Sequence, residues 1–534
     1  MIGVSPEVTI DVLHCPYKTE DLSHLSLGPN YGRPNPSALR PIKHRETQIQ
    51  YHLKDINEKF RCQLKNYCNR ESPAARMKEY SQLVEDLLRQ HYIAPLSYVD
   101  SMRAQREFKL VKSIRRKAQK AKLIIRVCDK GDSLHIGNKS DYERKAAKYR
   151  EDKNAYQELS YNPLMEILTN VTNALNALKN NKQLVLKDYN HLMPKLDLVR
   201  LSYMYFNRKP HKEETPLRPI LNTIKAVTRP ISDFLNELIR PIYDQYNQDY
   251  TIIDGVNLIK RLEKYAAGGH LKPYIDDVFF TSNETIEIVR QLLQDANEWN
   301  PNIKLVESNI GSTVPFLDVL LTNNNGVLHT FVYHKPSAEP YVVPFLSDHP
   351  RHTFPNIIQT ALVRAIRHSS TFEELIVMND MLFALCYYLM GSYPTRYIDR
   401  QFRKIFGNYI SPDSILLLID TEEQFFQLPK EYMKQPTARH SQVQARIAQY
   451  KENNEEHQVE HLVTTTSTTT RKQKKNIFQD AVIKHYTHEK RFTTMKKDTH
   501  QIFREVFQSF GIEAVRLIVG HRNGSNSKCE LIRK

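Results

Sequence analysis

Two adjacent carboxylates, Asp276 and Asp277, follow Tyr274 and Ile275 and lead into the apolar run Val278-Phe279-Phe280. The run reads as a buried strand. Ionised carboxylates side by side at its tip repel each other and desolvate badly unless a cation lies between them. Two-metal chemistry wants them there, with Mg²⁺ held by carboxylates and substrate phosphates. A plain strand ending in a turn is the alternative reading of the four residues alone.

The 534 residues suffice for two to four domains. A net charge of +16, from 76 Lys and Arg against 60 Asp and Glu, points to an anionic polymer, most simply nucleic acid. The competing reading is a basic but ordinary soluble protein. Cys15, Cys62, Cys68, Cys128, Cys386 and Cys529 are too scattered for a disulfide scaffold, and with no Cys-x-x-Cys pair a structural zinc site is not expected. The N-terminus lacks the basic start and long apolar core of a signal peptide, and Met381 to Met390 is too short to span a bilayer. These features predict a reducing, intracellular location, nuclear or cytoplasmic, without membrane contact.

Residues 1–40 are rich in Pro, Ser and Asn and read as loose. Helical spacing runs from Glu46 to Tyr98. Lys112, Arg115, Arg116, Lys117, Lys120 and Lys122 crowd one side of a further helix. They suit phosphate-backbone contact or a localisation signal, or else a solvated face. Leu123–Val127 and Ser133–Ile136 read as a hairpin around Asp129-Lys130-Gly131-Asp132, and Ser140 and Glu143 are spaced as a capping box opening a long helical stretch to about Lys182. Arg218 lies between Pro216 and Pro219 at the start of an apolar strand. Such a restrained guanidinium suits a phosphate, or a local carboxylate partner. Beyond the acidic pair, Ile286 to Ala296 reads as an amphipathic helix and Ile303 to Leu305 as a short strand. Val314 to Leu321 reads as one strand, turning at Asn323-Asn324-Asn325-Gly326 into a return strand. Arg364, Arg367 and His368, then Arg400, Arg403 and Lys404, are basic stretches in a helical region. Asp413 to Tyr450 reads as helical, Thr464 to Thr470 as a flexible tract, and Thr499 to Phe510 and Ala514 to Val519 as a last helix and strand.

In this order and spacing the pieces resemble a Penelope-like retroelement reverse transcriptase, from about residue 120 to the end. Tyr274 to Asp277 resembles the palm motif that supplies metal-binding Asp276 and Asp277 as catalytic residues. Pro315 to Asp318 is similar to the strand after the palm helix, and Gly326 through Tyr333-His334-Lys335-Pro336 to the primer-grip hairpin, which implies Lys335 at the nucleic acid. Ser347-Asp348-His349-Pro350 and the helix after it resemble the thumb. Asp129 to Asp132 with Ser140-Asp141-Tyr142 resembles the fingers hairpin, where the family more often has Asn at position 132, and Pro216 to Ile220 resembles the strand that holds the incoming triphosphate. The resemblance thus implies Lys130 and Arg218 at the nucleotide, an RNA template, a DNA primer and Mg²⁺. Arg115, Arg116, Lys117 and Lys120 are the candidates for backbone contact.

Two departures bear on activity. A polymerase palm of this type carries a further Asp on a strand, and a template-holding helix, before the Tyr-x-Asp-Asp hairpin. Here Pro273 and Tyr274 are adjacent. Of the acids between Arg218 and Tyr274, only Asp254 follows a strand-like run, and 21 residues (255–275) separate it from Asp276. A βαβ unit alone needs roughly 30. Asp254 is therefore read as a decoy, and the chain as an internally deleted, inactive copy. The second departure is that no GIY-YIG endonuclease follows Lys534, as in an endonuclease-lacking or truncated element.

The expected fold is α/β (α+β), a right-hand polymerase with fingers, incomplete palm and helical thumb, predominantly helical overall. Its expected parts are a disordered 1–40, a helical basic extension 41–122, fingers 123–225 and a truncated palm 226–335. A thumb and extension 336–450, a linker 451–475 and a small unit 476–534 complete it. The expected function is that of a reverse-transcriptase protein whose nucleotidyl transfer is lost. The alternatives are a non-catalytic RNA- or DNA-binding protein and a decayed product without function.

Overall fold

The structure is a computed structural model that describes residues 8–64, 73–129, 133–209, 215–248, 251–266, 279, 282, 284–301, 303–333, 342–371, 393–406, 430–462, 481–507 and 516–532. It is a mixed α/β protein, mostly helical, with small sheets. Among the described residues no helix is long and apolar enough to cross a membrane.

The chain begins with β1 (Thr9–Asp11) and α1 (Thr19–Leu25), then α2 (Ile42–Leu64), α3 (Pro73–Ile93) and α4 (Tyr98–Lys120). Apolar residues at helical spacing bury one stripe of each long helix. They are Ile49, Leu53, Ile56 and Phe60 on α2 and Tyr80, Val84, Leu87 and Leu88 on α3. Ser97 caps α4 by accepting from the Asp100 amide at 3.2 Å.

The chain continues as β2 (Leu123–Val127), β3 (Leu134–Asn138), α5 (Lys139–Lys153), α6 (Leu164–Asn180), α7 (Leu186–Leu192), β4 (Tyr203–Arg208) and β5 (Leu217–Asn222). The expected hairpin is present, with β2 antiparallel to β3 and β1 added parallel on β3's other edge. β4 pairs antiparallel with β5, placing Arg218 opposite Asn207. The expected capping box does not form. The helix starts at Lys139 behind Asn138, Ser140 lies inside it, and Asp141 serves an arginine instead. Nor is the helix continuous to Lys182, because Asn154 ends α5 in the left-handed region.

Next come α8 (Arg229–Asn247), α9 (Gly255–Ala266), α10 (Ile286–Glu298), β6 (Thr313–Phe316), β7 (Val319–Asn324) and β8 (Val327–Val332). Residues 314–321 are not one strand. Leu317 at φ 57° reverses the chain, so β6 folds back on β7. The second turn is as expected, with Asn325 and Gly326 both at positive φ and Asn323 Oδ1 accepting from the Gly326 amide at 2.8 Å. Residues 303–305 form no strand, and Asn297 of α10 instead binds both the amide and the carbonyl of Leu305.

Beyond them lie α11 (Thr353–His368), α12 (Thr395–Phe406), α13 (Ala438–Leu462), β9 (Ala481–Thr487), α14 (Met495–Phe507), β10 (Arg516–Arg522) and α15 (Ser527–Leu531). Helix α13 runs through residues 451–462, which the sequence assigned to a linker. β9 and β10 are parallel, with α14 crossing between them, and the last strand continues through Gly520 to Arg522 where a turn was expected. The C-terminal stretch is not a separate unit. Val482, Tyr486, Phe503, Val506, Phe507, Leu517 and Val519 share one core with α2 and α3.

The N-terminal segment supplies the clearest correction. Residues 8–40 are ordered, and 31–37 join three distant parts of the chain. Tyr31 donates its hydroxyl to Glu107 of α4 at 2.9 Å. Gly32 and Asn35 donate their amides to Ser347 Oγ and Asp348 Oδ2, both at 2.8 Å. Ser37 donates its amide to Glu489, and Arg33 makes a two-pronged pair with Glu530. Pro, Asn and Gly are turn residues, and here the amides of Gly32, Asn35 and Ser37 find buried side-chain acceptors.

Candidate nucleic-acid interface

Asp276, Asp277, Lys130 and Lys335 lie outside the described residues. Arg218, Arg115, Arg116, Lys117 and Lys120 are described.

Two arginines on one hairpin have opposite surroundings. Arg208 of β4 is fully buried, with Nη1 2.9 Å from Asp11 Oδ2 and Nη2 3.1 Å from Asp141 Oδ2. Burial and the charge of Arg208 together hold neighbouring His135 down to about 4. Arg218 of β5 is half exposed, and its Nε lies 3.1 Å from Oδ1 of buried Asp129. This is the local carboxylate that the sequence left open as an alternative to phosphate. Asp129 also donates its own amide to the Arg208 carbonyl at 2.8 Å.

Helix α4 buries Ala104, Val111 and Ile114 and turns Lys112, Arg115, Arg116 and Lys120 outward. Lys117 departs from the expectation. It is partly buried and ion-paired with Asp21 of α1, so it fastens two helices.

Helices α11 and α12 pack through Phe354, Ile358, Leu362 and Ile366 against Ile398, Phe402 and Phe406. The basic residues of α11 are turned inward to polar partners. Arg364 reaches Asp318 Oδ2 at 3.3 Å and the Tyr333 carbonyl at 3.2 Å. Arg367 reaches the Tyr432 and Gln435 carbonyls, both at 3.2 Å. Buried His368 sets Nε2 3.5 Å from Asp318 and Nδ1 2.7 Å from the Arg364 carbonyl. Burial pushes the Asp318 carboxyl up, but His368 and Arg364 outweigh it and hold the group below its ordinary value. On α12, Arg396, Arg400, Arg403 and Lys404 are exposed at spacings that place them on the face opposite Ile398, Phe402 and Phe406. Arg403 approaches Asp399 of its own helix only to 3.9 Å. The sequence reading noted three of these cations and missed Arg396, which the i, i+4 step from Arg400 would have found.

The described acids before Tyr274 do not fit a metal. Asp254 caps α9, with Oδ1 accepting from the Asn257 amide at 2.9 Å and Oδ2 from Thr437 at 2.6 Å. Asp244 is buried between Arg240 at 3.0 Å and Arg446 at 2.7 Å, and Asp233 pairs with Arg229 at 2.7 Å. Among the described residues no group of three or more His, Cys, Asp or Glu is placed to hold a metal ion.

Residues 341–403 match the animal helix-turn-helix domain, and both α11 and α12 fall within or across that stretch. No curated protein and no solved structure matches the chain.

Proposed function

We propose that the chain is a nucleic-acid-binding protein of reverse-transcriptase descent, related to Penelope-like elements, whose nucleotidyl transfer is lost. Its carrying observation is the outward cation face of α12, formed by Arg396, Arg400, Arg403 and Lys404, on a helix that overlaps the helix-turn-helix match. A helix of that motif lies in the major groove and its flanks meet phosphates. Arg115, Arg116 and Lys120 of α4 add a second backbone-contacting face. In the finer reading, residues 123–225 are fingers, 226–335 a truncated palm and 336–450 a thumb, with RNA template and DNA primer as partners. The same finer reading assigns Lys130 and Arg218 to the nucleotide, and Arg218 is half exposed on β5 beside Asp129. Mg²⁺ would matter only if Asp276 and Asp277 had a partner carboxylate, and Asp233, Asp244 and Asp254 each already have another role.

Affinity for DNA duplex and for an RNA–DNA hybrid, measured against salt, tests the binding. Counterion release gives a slope of about −0.9 per neutralised phosphate on B-DNA. The variant Arg396→Ala, Arg400→Ala, Arg403→Ala, Lys404→Ala should flatten that slope by about 3 to 4. A wild-type slope near zero would overturn the proposal. Primer extension on RNA with Mg²⁺ tests the loss of chemistry, and incorporation that disappears in Asp276→Ala would refute it.

A further inference from the structure

We infer that the outward face of α4 holds one strand of single-stranded nucleic acid lengthwise, with a base stacked on Tyr98 and phosphates along Arg106, Lys109, Arg116 and Lys120. This deepens the α4 face proposed above and rests on the same binding function.

The face is a straight line. Tyr98, Met102, Arg106, Lys109, Arg116 and Lys120 follow one another at steps of 4, 4, 3, 7 and 4 residues. Steps of three, four and seven return to one side of a helix. All six residues are exposed, and buried Ala104, Val111 and Ile114 lie on the opposite side. Arg106 and Lys120 are 14 residues apart, about 21 Å at the rise of an α-helix. At about 3.4 Å per stacked nucleotide, that length passes roughly six phosphates.

The cations of this line are available. Among the described residues Lys109, Arg116 and Lys120 have no ionic partner. Arg106 meets Glu20 of α1 at 3.7 Å, with both side chains about three-quarters exposed, and such a surface pair holds weakly. The acids of α4 are turned elsewhere. Asp100 accepts from the Ser97 hydroxyl at 2.7 Å, and Glu107 is shared by Tyr31 at 2.9 Å and Arg103 at 3.2 Å. Two further cations are spent beside the line, Lys117 on Asp21 and Lys112 over the Phe108 ring at 4.3 Å. What remains is a row of positive charge with no carboxylate of its own helix in it, which suits a phosphate backbone.

Tyr98 selects the occupant. It is 80% exposed in the first turn of α4, and Met102, one turn on, is 51% exposed. A ring left in water offers its face to an unpaired base, and stacking accepts any base. The bases of a duplex are stacked on one another and do not reach such a ring, whereas a single strand splays them out. An acidic peptide would meet the cations and leave the ring bare. A cation row that ends in an aromatic platform therefore describes a single strand.

The test uses the full chain and a single-stranded RNA carrying 5-iodouridine, with the duplex of the same sequence as control. Irradiation should crosslink the single strand to Tyr98. Tyr98→Ala should weaken single-strand binding about 5- to 150-fold, the worth of one stacked base, and leave duplex binding unchanged, while Tyr98→Trp should keep the affinity. The variant Arg106→Ala, Lys109→Ala, Arg116→Ala, Lys120→Ala should flatten the single-strand salt slope by about 3. Wild-type crosslinks that map only elsewhere would overturn the assignment without any substitution, and so would poly-glutamate that competes as well as the RNA. If both α4 variants bind single strands as wild type does while the four-site α12 variant still loses affinity, the α4 line is refuted and the binding function stands. If wild type binds neither form, both fall together.

Discussion

Helices α11 and α12 pack against each other and carry similar numbers of basic residues, yet they use them in opposite ways. Arg364, Arg367 and His368 of α11 are tied to Asp318 and to backbone carbonyls of neighbouring segments. Arg396, Arg400, Arg403 and Lys404 of α12 face solvent. A cation turned inward pins one segment to another, whereas a cation turned outward leaves its charge for a ligand. The number of basic residues therefore says little about an interface until each side chain has been followed to its partner. Lys117 against Arg115 and Arg116, on a single helix, repeats the contrast at smaller scale.

The anchoring side of the comparison should break most severely at Gly255. A Cβ built there would lie 2.4 Å from Asp318 Oδ1, 2.7 Å from His368 Nε2 and 2.9 Å from Val319 Cγ2. The carboxylate cannot swing aside without abandoning α11. Gly255→Ala should therefore destabilise by about 1–3 kcal/mol, as overpacking does, although alanine is the better helix former. Thermal unfolding of this variant at or above the wild-type temperature would show that Asp318 is not fixed by α11. Asp318→Ala comes next. It leaves buried His368 and partly buried Arg364 facing each other with no carboxylate, at a cost of about 1–3 kcal/mol. Chemical denaturation checks this, and an unchanged midpoint would reduce the Asp318 contacts to a surface pair.

Much of the local structure was legible in the sequence, because period and turn chemistry are local. The β2–β3 hairpin, the Asn325-Gly326 turn and the stripes of α2 and α3 all follow from spacing. What escaped depends on partners far along the chain. Residues 31–37 look like a loose tail, because their order comes from Glu107, Asp348, Glu489 and Glu530, each more than 70 positions away. Asp129 is invisible as the partner of Arg218 until β5 is laid beside the hairpin. The strand at 314–321 was misread because Leu317 adopts a positive φ that nothing in its side chain favours. At the candidate site, the α12 spacing was readable, but the inward commitment of α11 was not.

Acid should separate the two helices' surroundings by a smaller margin. His488, beside Asp348 at the start of the α11 region, is held down to about 4, first by burial and then by the charges of neighbouring histidines. Burial likewise holds His24 and His135 down to about 4. Between pH 6.5 and about 4 the unfolded chain takes up these protons and the folded chain does not, so stability falls as pH falls. Asp348 opposes the trend. Burial pushes it up to about 7, so the folded chain keeps a proton there that the unfolded chain releases. Three histidines outweigh one carboxyl, and the melting temperature should drop by a few degrees from pH 7 to pH 5. His488→Gln should lessen the drop. A melting temperature that rises over this range would reverse the sign of the argument.

The smallest effect on folding is expected on α12 itself, and it sharpens the comparison most. Arg400→Ala removes an exposed charge from a helix whose hold on the core rests on Ile398, Phe402 and Phe406. Surface substitutions of this kind stay within about 0.5 kcal/mol, and alanine favours the helix. The same substitution should reduce the salt slope of DNA binding by about 1. Arg367→Ala, on the partner helix, should do the reverse. It strips the Tyr432 and Gln435 carbonyls of their donor and lowers stability, while the salt slope of the folded protein stays where it was. Equal slopes for the two variants would mean that the inward and outward cations of this helix pair are not functionally distinct.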